Sequence, residues 1–117
     1  MICQKTELGT ICVDSSVYTN IAGYAATNCF GVKGMAIRSV SDGLVHLLRR
    51  EAMSKGVNVF INEDESITID LHIMVDRGVN LSAISEAIIK KVCYDVTNAT
   101  STKVQAVNVF VDSINPG

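Results

Sequence analysis

The chain has 117 residues, of which 48% are apolar and 19% charged, with four cysteines and one proline, Pro116. That length suits a single domain with one ordinary core, and nothing in the composition marks a linker, a repeat or a low-complexity tract. The net charge of −2 offers no basic excess for phosphate binding by counterion release, and no apolar run reaches the ~18 residues of a membrane span. The N-terminus also lacks the charged and apolar regions of a signal peptide, so a cytoplasmic chain is expected. Cys3, Cys12, Cys29 and Cys93 show no CxxC or Cys/His spacing; buried free thiols are expected, with no metal site and no assigned chemistry.

In chain order, residues 1–7 read as an N-terminal tail and Leu8 to Val13 as a first strand. Asp14-Ser15-Ser16 offers cap oxygens to a helix whose Val17, Ile21, Tyr24, Ala25 and Cys29 recur at helical spacing. Ala22, Gly23 and Ala26 beside that stripe are small enough for close packing, and Gly31 can end the helix in a left-handed conformation. Met35 to Val40 looks extended. Ser41 to Met53, with Leu44, Leu47 and Leu48, reads as a short amphipathic helix or a turn-rich connection.

Two alternating runs follow, Val57 to Ile61 and Ile67 to Val75, joined by the polar loop Asn62 to Ser66, which is the pattern of a β-hairpin. Asn80 or Ser82 then caps a long helix with the stripe Ile84, Ile88, Val92, Val96 and Ala99. Lys103 to Ile114 closes the chain as a strand with Val107, Val109 and Val111 on one face, before a short tail at 115–117. The order is strand, helix, irregular segment or strand, hairpin, helix, strand. It predicts an α+β domain over 8–114, with two main helices packed on one face of a sheet of three or four strands.

Four features bear on function. Gly31 and Gly34 bracket a lysine in GVKGM, like the GxxG loop with which a KH domain clamps single-stranded RNA, but an extended run follows where a KH domain needs a helix. Lys33, Arg38, Arg49, Arg50 and Lys55 give residues 33–55 a net charge of +3 and leave −5 on the rest, a candidate patch for an anion or an acidic partner. Asp70 and His72 lie two apart on one strand, where a carboxylate can orient an imidazole. No nucleophile elbow or phosphate-binding loop accompanies them, and His46 lies in the irregular segment, so no catalytic residues are assigned. Finally, if the alternating aliphatics face the helices, Phe60, Asp70, His72, Met74, Asn108 and Phe110 share the opposite face, a pattern suited to a protein contact.

Six segments in order, Ile21-Ala22-Gly23-Tyr24-Ala25-Ala26, Gly31-Val32-Lys33-Gly34-Met35-Ala36, Lys55-Gly56-Val57, Ile69-Asp70-Leu71-His72-Ile73, Gly78-Val79-Asn80 and Val107-Asn108-Val109, span nearly the whole chain. Together they resemble the alkaline shock protein family of bacterial envelope stress response proteins, the YloU-like group. The resemblance implies structural roles for Gly23, Gly31, Gly34, Gly56 and Gly78, and makes the likeness of GVKGM to a KH loop a coincidence of glycines. It implies a small cytoplasmic protein without known catalytic activity or cofactor. Members self-associate, and in some cases sit at the inner face of the membrane through a separate anchor protein. The first expectation is therefore a non-enzymatic scaffold or adaptor that forms homo-oligomers and binds partners. The alternative is a regulatory binder for fatty acid and acetyl-CoA carboxylase metabolism, to which some relatives are tied. Nucleic-acid binding through the basic segment ranks third.

Overall fold

The computed structural model describes residues 1–38 and 43–116; the side chains of Arg50 and Glu51 also lie outside that description. Strands β1 (Ile2–Thr6) and β2 (Gly9–Val13) form an N-terminal hairpin, followed by helix α1 (Ser15–Thr27). Strands β3 (Val32–Arg38) and β4 (Val45–Leu47), a 3₁₀ turn (Arg50–Gly56) and strands β5 (Val57–Ile61) and β6 (Ile67–Asp76) come next. Helix α2 (Leu81–Thr100) and strand β7 (Val104–Asn115) complete the fold.

Strand β6 organises the domain. Its odd residues Ile67, Ile69, Leu71, Ile73 and Val75 are fully buried and its even ones are not, the period of two that covers one sheet face and leaves the other bare. Strand β7 runs parallel to it along its whole length. The opposite edge of β6 is therefore shared by two antiparallel partners, β5 along residues 67–71 and β3 along residues 73–75. Strand β4 extends the sheet from β3, so the sheet has five strands, one more than the sequence suggested.

Both helices pack on the odd-numbered face. Helix α2 buries Ile84, Ile88, Val92 and Val96, the predicted stripe, and starts where the Asn80 side chain accepts a hydrogen bond from the Ala83 amide at 3.0 Å. Helix α1 is capped by Asp14, which accepts from the Ser16 amide; of the expected stripe Ala25 is buried and Ile21 and Cys29 pack against the core, but the face is rotated. Tyr18, Ala22, Ala25 and Ala26 are inside, whereas Val17 and Tyr24 are exposed. The small residues matter: a stripe of alanines lets the backbone approach α2 and the sheet closely. Tyr18 is 1% exposed, and its hydroxyl meets the Thr102 hydroxyl at 2.7 Å, tying the start of α1 to the segment that follows α2.

The hairpin corrects two further expectations. Residues 2–6 form β1 and are not a tail; Ile2 is buried, and Thr6 pairs with Gly9 across the turn. Cys3 and Cys12 stand directly opposite each other in this register and form a disulfide, where free thiols were expected. Cys29 and Cys93 are free but only partly buried, and burial pushes both thiols above the ordinary cysteine range, which makes them poor nucleophiles. The segment Ser41 to Met53 holds β4 and the start of the 3₁₀ turn, with no amphipathic helix among its described residues. At the far end of β5, Ile61 is half exposed, although its phase assigned it to the core.

Candidate functional site

No described helix packs on the even-numbered face of the sheet. Strand pairing puts Phe60 beside Thr68, Asp70 beside Asn108, and His72 beside Phe110, so residues of β5, β6 and β7 form one surface. Phe60 is 52% and Phe110 43% exposed, more than a buried contact allows and enough for a partner to cover. The rings of His72 and Phe110 stack with centroids 4.9 Å apart and planes 13° from parallel. Asn108 donates to the Asp70 carboxylate at 2.8 Å. All six residues assigned to this face by strand phase lie on it, Met74 included.

The carboxylate that holds His72 is not Asp70. Nδ1 of His72 lies 3.0 Å from an Asp112 carboxylate oxygen, while Asp70 is engaged by Asn108. Asp112 follows Asn108 and Phe110 in the same alternation, and that phase would have found it. It is also the unpaired residue where the β6–β7 register slips, because Ile73 pairs with Val111 and Met74 with Ser113. With Asp112 on Nδ1, the imidazole presents Nε2 to any ligand. Among the described residues, no three His, Cys, Asp or Glu side chains come together to hold a metal ion.

The glycine positions serve the backbone. Gly31 has φ +90°, and a Cβ there would lie 2.7 Å from Ile84 Cδ1 and 2.9 Å from Val79 Cγ1. Gly34 lies in β3 beneath Leu47, Gly56 presses on the Ala36 backbone, Gly23 faces Met53 and Gly78 sits in the turn before α2. Since Val32 to Gly34 already belong to β3, the GVKGM glycines frame the start of a strand and not a loop between two helices.

Among the described residues, basic side chains border two separate hollows. Lys33 borders a hollow with Asn28, Leu48 and Met53, whereas Arg38 and Lys55 border a separate cleft beside His72. Arg49 precedes the 3₁₀ turn as an exposed residue, and the Arg50 side chain lies outside the described residues. No described helix is long and apolar enough to cross a membrane.

The chain matches the family model described as the ASP23 (alkaline shock protein 23) family, cell envelope-related function, over residues 3–116. It is 36% identical over 111 residues to YloU of Bacillus subtilis (strain 168), covering 94% of this chain and 92% of YloU. It is 34% identical to Spy1614 of Streptococcus pyogenes serotype M6, covering 94% and 91% of the two chains, and 28% identical to YqhY of Bacillus subtilis, covering 95% and 81%. All three relatives are described only as uncharacterized proteins. No solved structure matches. With the model matched over nearly the whole length and the glycine framework in place, the chain belongs to the alkaline shock protein family, whose function is cell envelope-related.

Proposed function

We propose that this protein is a non-enzymatic scaffold or adaptor of the envelope stress response, working by self-association and by binding a partner. The observation that carries this reading is the uncovered sheet face, where two half-exposed phenylalanines flank a fixed polar framework of His72–Asp112 and Asn108–Asp70. Aromatic anchors set among satisfied polar pairs are the composition of a contact surface, and a twofold axis through the face would bury it against its own copy. The family's envelope-related description is in keeping with such a role. We place the protein in the cytoplasm, reaching the inner face of the membrane through a protein anchor. A reducing cytoplasm would hold Cys3 and Cys12 as thiols.

The test is Phe60→Glu combined with Phe110→Glu, which puts two charges into the centre of the interface but leaves the odd-numbered core untouched. Desolvating them should weaken association by several kcal/mol, on the order of 100-fold or more. Sedimentation of the variant against wild type gives the answer, with circular dichroism confirming the fold. A monomeric wild type at tens of micromolar, or a folded variant that associates as well as wild type, removes this face as the interface.

A further inference from the structure

Strands β3 and β5 share one edge of β6, both antiparallel to it, β3 along residues 73–75 and β5 along residues 67–71, with the 3₁₀ turn leading into β5. Where one gives way to the other, the sheet opens into a cleft of about 420 Å³ lined by Ala36, Ile37, Arg38, Lys55, Asn58, His72 and Asp112. That volume lies within the range of ordinary small-molecule sites. The lining combines the half-exposed Ile37 with polar groups from four strands, Arg38 of β3, Asn58 of β5, His72 of β6 and Asp112 of β7, and with Lys55 of the turn.

The charges in the cleft are unequal. Asp112 is already engaged by His72. Arg38 donates from Nη1 to the Gly43 carbonyl at 2.7 Å, which holds the guanidinium in place. Among the described residues, neither Arg38 nor Lys55 has an acidic side chain within ion-pair distance. Two cations with no acidic partner among the described residues, the Asn58 amide and an anchored imidazole therefore border one hollow, in a protein whose remaining residues are net negative.

We propose that this cleft is a binding site for a small organic anion, a phosphate or carboxylate carried on a compact apolar or aromatic body. The anion lies between Lys55 and Arg38, and the body rests on Ile37 beside the His72 ring. Charge-assisted hydrogen bonds from a fixed guanidinium and an ammonium give affinity, and contact with Ile37 discriminates against a bare inorganic ion. The site lies at the rim of the uncovered face, so a bound ligand would sit next to whatever covers that face.

The experiment is a titration of the full chain followed by ¹H–¹⁵N spectra, with phenyl phosphate, inorganic phosphate and phenol as separate probes. Phenyl phosphate should give saturable shifts at Ala36, Asn58, His72 and Asp112, and each of the other two should bind about tenfold more weakly, the loss of roughly one favourable contact. Lys55→Gln and Arg38→Gln, both at exposed positions, should each weaken phenyl phosphate by about tenfold. Lys33→Gln, whose side chain borders a different hollow, should not. Phosphatidylglycerol vesicles identify the source of the anion: competition with phenyl phosphate points to a lipid headgroup, and undiminished binding to a soluble molecule. Absence of saturation at millimolar probe, shifts that follow Lys33 instead of Lys55, or equal binding by all three probes overturns the proposal.

Discussion

Gly31 meets two independent constraints. Its φ of +90° is a conformation that L residues pay for, and a Cβ would overlap Ile84 and Val79, which close the end of the core. Gly31→Ala should therefore cost on the order of 3 kcal/mol, part from backbone strain and part from overpacking, measured as a lower urea midpoint with an unchanged slope. Lys33→Ala, two residues on, should leave that midpoint where it is; an equal loss would mean that the lysine and not the glycine carries the motif. Tyr18→Phe leaves the buried Thr102 hydroxyl without its partner and should cost about 1–3 kcal/mol. Adding Thr102→Val removes the orphaned group, so the double variant should be more stable than the sum of the two single losses. Purely additive losses would show that the pair is not coupled. Two carboxylates set the acid side of the stability curve. Hydrogen bonds from the Ser16 side chain and amide hold Asp14 below the usual carboxylate range, and those from Ser66 do the same for Asp64. Groups lowered on folding contribute stability that is fully present above the unfolded value near 4 and is lost as pH falls through the folded one. Asp14→Asn with Asp64→Asn should therefore flatten the decline in stability below pH ~4 relative to wild type; an unchanged acid limb would assign the decline to other carboxylates.

The N-terminal hairpin is the element least supported by the core. Ile2 is buried and Val13 packs against the core, while Leu8 and Ile11 are exposed, and two strands alone are marginal in water. The Cys3–Cys12 bridge closes a loop of about ten residues, for which chain entropy gives roughly 3 kcal/mol. Reduction should accelerate amide exchange in residues 2–13 by on the order of 100-fold and leave β6 protected. Loss of protection in β6 at the same rate would make the hairpin part of the global folding unit. Legibility of the other elements follows the same physics. Strand β6 and helix α2 were readable because each buries one face and solvates the other, so their periods are unmixed. Strand β1 was not, because Gln4, Lys5 and Thr6 give no apolar alternation and only its pairing with β2 defines it. The face of α1 was legible in part: Ala22, Ala25 and Ala26 are inside as their size suggested, but Val17 and Tyr24 are exposed and Tyr18 takes the buried place. The candidate face could be read from strand parity as far as Phe110. The cleft could not, since Arg38 and Lys55 meet only because β3 and β5 divide one edge of β6, a matter of topology that no local pattern records.

At the scale of the whole molecule the question is whether charge alone brings the protein to a membrane. Residues 33–55 carry a net +3 against −5 elsewhere, which in an unstructured segment would make a polybasic anchor. The fold disperses it: Lys33 lies at one hollow, Arg38 and Lys55 at another, and the second is bordered by Asp112 with Asp70 on the same sheet face. Two basic residues near an anionic surface contribute about 2 kcal/mol, which is short of stable attachment. No described helix supplies a membrane-spanning segment to add to it. The expected outcome of flotation with phosphatidylglycerol-rich vesicles at physiological salt is that the pure protein stays with the soluble fraction, and that lowering the salt brings only part of it up, because the attraction is screened over a Debye length. Lys55→Gln with Arg38→Gln should abolish that low-salt fraction, and Lys33→Gln should not. Strong flotation of the wild type at physiological salt would mean that the chain carries its own anchor, and would reverse the proposed dependence on a partner at the membrane.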